Sequence, residues 1–152
     1  MLKIGDKYSF EVSYADRQSC LMFFKEDDSS SWSLDIGFCE GDFGDETVVP
    51  AICINPIDTD KNSVEELVGE KIRVTTIEEC DDREDTFYIF ESEPMVSYEL
   101  EVLEIKEGKA RIRCSGIMIL DGYSDPYEEE KFEIDCLVPI IESASDWAKF
   151  EN

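Results

Sequence analysis

The sequence contains no histidine. That absence removes the Ser-His-Asp triad, the Cys-His dyad and histidine-ligated zinc together. Bases are scarce: 14 lysines and arginines stand against 38 acids, for a net charge of −24 and a pI near 4.1. Such a surface repels nucleic acid and anionic lipid. No apolar run approaches the ~18 residues of a membrane span, and MLKIGDKYSF lacks the basic-then-apolar order of a signal peptide. These two absences point to a cytoplasmic protein. No two of the six cysteines make a CxxC pair, so neither a zinc ribbon nor a thioredoxin-type site is expected. Glycine-rich phosphate loops and the aromatic-basic signature of RNA-binding sheets are missing too. No catalytic residue, metal or cofactor is implied.

What is present is apolar alternation. Hydrophobic residues make up 42% of the 152 and aromatics 11%, enough for one domain with a sizeable core. Three stretches form a frame: 95–106, 109–120 and 130–140. Leu103 and Ile105 share a face of the first, Ala110, Ile112 and Cys114 of the second, and Phe132, Ile134, Cys136 and Val138 of the third. Period two is the signature of a half-buried antiparallel sheet. Glu107-Gly108 suits a tight turn and Asp121 to Pro126 a longer one. On the opposite face, Arg111 is placed near Glu104, and Arg113 near Glu133 or Asp135. These pairs are expected to be structural, a small ligand-binding basic patch being the alternative.

Earlier strands are expected at 7–14 (Tyr8, Phe10, Val12 and Tyr14 on one face), 20–25, 32–38, 48–54 with a bulge or edge at Pro50, 71–77 and 86–90. The fold class expected is mainly β: a single-domain antiparallel sandwich or partly closed barrel over residues 1–152, with eight to ten strands and two short helices. One helix follows Ser63, with Glu66 completing a capping box and Gly69 ending it. The other lies at 143–152, capped by Ser145, with Trp147 and Phe150 either tucked onto the sheet or exposed as an anchor. Glu78 to Asp85 is expected to be an acidic turn. Asp58, Asp60 and Asn62 fit the start of a calcium loop, but Ser63 and Gly69 stand where its glycine and closing glutamate belong. Cys39, Cys53, Cys114 and Cys136 fall in apolar patterns and are expected to be buried. Acidic neighbours should raise the Cys80 thiol.

Carboxylates are too numerous for sequence proximity to identify a catalytic pair. Binding is the simpler destination, because long-range charge accelerates encounter and selects partners. No lysine or arginine occurs between Glu26 and Asp60. The acidic stretches Glu26-Asp27-Asp28, Glu40 to Glu46 and Glu78 to Asp85, on a small β-rich chain without a catalytic motif, resemble the immunity proteins of bacterial toxin–immunity systems. The resemblance implies a non-enzymatic cytoplasmic inhibitor that masks the active site of a basic protein, such as a nuclease. It implies no binding of nucleic acid or membrane. The implied partner-binding residues are Asp42, Asp45 and Glu46 with Phe43 as an apolar anchor, Glu26, Asp27 and Asp28, and Trp32 in support. The alternative is a generic interaction or scaffold domain whose acidity serves solubility.

Overall fold

The computed structural model describes residues 1–15, 19–123 and 126–150, and the side chains of these up to Trp147. The fold is mainly β and sandwich-like, not a closed barrel. One half is built from β4 (Cys20–Lys25), β5 (Ser30–Phe38), β8 (Ala51–Thr59), β10 (Thr86–Tyr88) and β11 (Ser92–Pro94), in the spatial order β11-β10-β8-β5-β4. The other half is β9 (Lys71–Val74), β12 (Ser97–Lys106), β13 (Lys109–Asp121) and β14 (Glu128–Ile141), with β1 (Leu2–Ile4) and β2 (Tyr8–Phe10) beyond β14. Strand β14 joins the halves. It runs antiparallel to β13 as far as Pro139, then pairs parallel to β4 through Ile140 and Ile141.

The two inner faces meet in one apolar core. Trp32, Leu34, Ile36 and Phe38 of β5 are buried there, as are Ile112 and Cys114 of β13 and Phe132, Ile134 and Val138 of β14. The rings of Phe87 (β10) and Phe132 (β14) lie 5.1 Å apart, so the halves touch across the middle. Alternation identified these strands because each has one face in this core.

Several expectations need correction. The 7–14 stretch is not one strand: β2 pairs with β1, and β3 (Val12–Ser13) pairs with β5 in the other half. Phe10 is buried, whereas Tyr14 is exposed and its hydroxyl donates to the Leu137 carbonyl. In β12 the inward residues are Tyr98, Leu100 and Val102. A bulge between Val102 and Glu104 shifts the register, so that Ile105 comes to oppose Ala110. An extra residue in one strand switches which side chains face inward, and Leu103 is that residue.

Residues 78–85 are not a turn. They lie largely in α1 (Ile77–Arg83), the one α-helix among the described residues. The Thr76 hydroxyl accepts from the Glu79 amide at 3.2 Å, acids fill the first turn and Arg83 the last, which suits the helix dipole. Glu84 ends the helix in the left-handed region at φ 60°. The two places where helices were expected hold 3-10 turns instead. In Val64–Leu67 the Ser63 side chain makes no cap, and Glu66 accepts from the Asn62 amide at 3.4 Å rather than from Ser63. In Ala144–Phe150 it is Asp146, not Ser145, whose carboxylate takes the amides of Glu142 and Ser143. Trp147 is half-buried; the Phe150 side chain lies outside the described residues.

The β12–β13 turn is as expected. Glu107 and Gly108 both have positive φ, 55° and 75°, between Lys106 and Lys109, which a two-residue hairpin with the sheet's twist requires. The cross-strand register also holds: Arg111 stands opposite Glu104 and Arg113 opposite Asp135.

Candidate functional site

The acidic stretch at 40–46 folds into a hairpin of its own. Strands β6 (Gly41–Phe43) and β7 (Glu46–Val48) pair with Phe43 opposite Glu46 and Asp42 opposite Thr47. Gly44 turns the chain at φ 64°, with Asp45 beside it at the tip. Two contacts fix the hairpin to the body. A Cβ at Gly41 would lie 2.8 Å from the Phe10 ring, so glycine is what lets the strand approach. The Phe43 ring packs 4.4 Å from Tyr8 and meets Phe90 edge-on at 5.8 Å.

Phe43 and Glu46 form one wall of a surface cleft of about 450 Å³. Phe90, Glu91 and Glu93, from the loop after β10 and from β11, form the second wall. Leu120 to Tyr123 at the end of β13, with Glu128 at the start of β14, form the third. The lining thus mixes aromatic and aliphatic side chains with carboxylates. Phe90 is 41% exposed and Tyr123 84%. Among the described residues no lysine or arginine lines the cleft. Glu46, Glu91, Glu93 and Glu128 make no ion pair among the described residues.

The rim is held in place. The Tyr123 phenol lies within the field of Glu91, and the Tyr123 amide donates to the Asp121 carboxylate at 2.9 Å. Glu93 lies against Gly122, where a Cβ would be 2.8 Å from its carboxylate oxygens. The negative charge of Glu91, then its hydrogen bond, then desolvation and Glu93, raise the Tyr123 phenol above its ordinary pKa. The cleft is therefore a region of concentrated negative potential.

The outer face of the β9-β12-β13-β14 half is arranged differently. Glu99 pairs with Arg73 at 2.6 Å and Lys71 at 3.4 Å, and Asp135 with Arg111 at 3.0 Å and Arg113 at 3.8 Å. Arg73 and Arg111 hold the two carboxyls below their ordinary range. These arginines are thus engaged in solvent-exposed cross-strand pairs, whose attraction water screens.

A third charged group is internal. Asp85, just after α1, is fully buried and accepts from the Asn55 amide at 2.8 Å, Arg83 Nε at 2.7 Å and the Tyr98 hydroxyl at 2.5 Å. Arg83 also donates to the Asn55 carbonyl at 2.8 Å. Burial and then Asp85 push the Tyr98 phenol up. The cluster ties α1 to β8 and β12, and it fixes the start of β10, which leads to Phe90.

Of the sequence-predicted contact residues, the structure brings Phe43 and Glu46 together in the cleft. Asp42 and Asp45 are exposed on the same hairpin outside it. Glu26, Asp27 and Asp28 are exposed in the β4–β5 turn, at the far end of β5. Nine residues of strand separate them by roughly 26 Å along β5, so they lie at the opposite end of that strand from the hairpin. Trp32 is wholly buried, paired with Phe23 and Ile57, and its Nε1 has no partner among the described residues. It is a core residue with no exposed surface. Sequence reading missed Phe90, Glu91, Glu93, Tyr123 and Glu128. Their signal was acids interleaved with aromatics on both sides of turn-forming residues.

Cysteine placement also differs from expectation. Cys114 and Cys136 are buried, together with Cys20 and Cys80, but Cys39 is exposed and Cys53 half-buried; all six are free thiols. Burial, Asp85 and Glu79 raise Cys80 to about 11, burial being the largest cause. Among the described residues no three Cys, Asp or Glu side chains converge as metal ligands. No helix is long and apolar enough to cross a membrane. Comparison with family models, curated proteins and solved structures finds no match.

Proposed function

We propose that this is a non-enzymatic acidic binding protein, an immunity-type inhibitor that neutralises a basic partner toxin, such as a nuclease, by masking its active site in the cytoplasm. The observation that carries the reading is the asymmetry of charge. Acids on the β9-β12-β13-β14 face are matched by arginine and lysine of the chain itself. Among the described residues Asp42, Asp45, Glu46, Glu91, Glu93 and Glu128, around the β6–β7 hairpin and its cleft, form no ion pair, and they stand beside partly exposed aromatic rings. Toxins that act on RNA or DNA carry cationic sites for phosphate. A rigid hairpin bearing Asp42, Asp45 and Glu46 offers carboxylates where those phosphates would bind. Steering by the net charge of −24 raises the encounter rate by ~10–10³.

The test is capture from the native cytosol on immobilised protein across a salt series. One basic protein, released as salt screens the charges, supports the reading. Charge reversal at Asp42, Asp45 and Glu46 should then slow its association. Equal association rates at low salt for wild type and reversed variant would remove the hairpin from the interface.

A second reading, a scaffold domain, draws on a different patch. Val49 and Tyr88 are 48% and 43% exposed and border a concavity with Pro50 and Ala51. Binding there would depend weakly on salt, and substitution of Tyr88 rather than of the hairpin acids would abolish it.

A further inference from the structure

The cleft between Phe43 and Phe90 has a narrower chemistry than general acidity. A cluster of carboxylates alone attracts any cation, and a compact, strongly hydrated one best of all. Here the carboxylates stand over aromatic and aliphatic walls, and the described residues offer no convergent set of metal ligands. Such walls favour a cation that is planar, weakly hydrated and able to stack. The carboxylates and the apolar groups that line the cleft together are both satisfied by a guanidinium.

We propose that the cleft receives one arginine side chain from the surface of a basic protein, its plane stacked on Phe90 and its N–H groups donating to Glu91 and Glu93. This rests on the inhibitor reading and names what its interface recognises. The edge-on contact with Phe43 steadies the Phe90 ring, while Phe90 itself remains accessible. The Tyr123 amide bonds Asp121 and so holds the turn beside Glu91, and the missing side chain at Gly122 leaves room for Glu93. The acceptors are thus placed before the ligand arrives, which reduces the ordering cost of binding. Lysine would meet the same charge, but its ammonium keeps its hydration and gains less from the ring.

The experiment is a titration of the isotope-labelled whole protein, followed by amide chemical shifts. The probes are acetyl-Gly-Arg-Gly-amide, its lysine counterpart and its neutral norleucine counterpart. Saturable shifts confined to residues 43–46, 90–93 and 120–123 are expected with the arginine peptide. The lysine peptide should bind about fivefold more weakly, and norleucine should give no response. Phe90→Ala, at an exposed position, should weaken the arginine peptide about fivefold, the size of one cation–π contact. Glu91→Gln with Glu93→Gln should abolish saturation. The proposal is overturned if lysine binds as well as arginine, if Phe90→Ala has no effect, or if shifts spread evenly over the other acidic surfaces. The two readings fail separately. A basic protein whose capture needs the hairpin acids but survives Phe90→Ala upholds the inhibitor and removes the arginine pocket. Peptide selectivity without capture of any basic protein does the reverse.

Discussion

Replacing Asp85 by asparagine should cost the fold about 3 kcal/mol. The carboxylate is fully buried and has three donors aimed at it. Asparagine keeps one oxygen, which still serves the Asn55 amide at Oδ1. Its amide nitrogen then faces Arg83 Nε and Tyr98 Oη. The tyrosine hydroxyl can turn and accept, but the guanidinium cannot. Losing a hydrogen bond to a charged group costs about 1.5–3 kcal/mol, and removing one partner of a buried ion pair about 3–5 kcal/mol. Arg83 is 25% exposed and keeps its bond to the Asn55 carbonyl, so the lower part of the second range applies. Tyr98→Phe alone should cost about 2 kcal/mol by the same reasoning. Because both changes act on one carboxylate, the double variant should lose less than the sum, with a coupling of at least ~1 kcal/mol. Urea unfolding with linear extrapolation measures all four corners of the cycle, provided the slope stays constant. A loss below about 1 kcal/mol for Asp85→Asn, or additive costs, would refute the idea that this cluster fastens α1 to the sheet.

Other consequences follow from single sites. Burial raises the thiols of Cys20, Cys80 and Cys136 to about 11 from an ordinary 9. The folded state therefore holds these protons more tightly than the unfolded chain. Stability should be flat up to pH 9 and fall between pH 9 and 11, as followed by melting temperature; Cys→Ala at these positions should flatten that fall. Gly116→Ala should cost about 3 kcal/mol or more in denaturant titration, since its Cβ would sit 2.1 Å from the Ser97 carbonyl oxygen. Glu91→Gln should bring the Tyr123 phenol back down toward its ordinary value, read by ultraviolet absorbance in alkaline titration against a Tyr123→Phe control. An unchanged titration would mean that Glu91 does not set the potential of the cleft.

The parts of the fold legible in the sequence were those in which local pattern and burial agree. Strand β5 alternates Trp32, Leu34, Ile36 and Phe38 because one of its faces is entirely core. In β12 the alternation misled, since the bulge near Leu103 inverts the phase midway and period-two reading assumes an unbroken ladder. Helix α1 escaped notice because it buries only Cys80, leaving no 3.6-residue apolar stripe. The signal it did carry was Thr76 followed three residues later by Glu79, a cap in front of acidic residues. The hairpin half of the cleft was legible as a dense acidic stretch with one phenylalanine. Its other walls come from residues 90–93 and 120–128, joined to it by strand order, which no local pattern encodes. The same limit explains the placement of Glu26 to Asp28: chain proximity to the hairpin hides the length of β5 between them.

Strand β14 is a seam, and a seam makes folding an all-or-none event. It closes against β13 along nearly its whole length, against β1 at Phe132 to Ile134 and against β4 at Ile140 and Ile141. It is also the last of the described strands along the chain. As the polypeptide leaves the ribosome, the β4–β5 and β12–β13 hairpins can form early from neighbours in sequence. Neither half can close, however, and Leu2 must wait some 130 residues for its partner Ile134. Pairings of such span are intrinsically slow. Until β14 emerges, the apolar faces of both halves stay open, and the chain's excess of acids over bases is then what keeps unfinished chains apart.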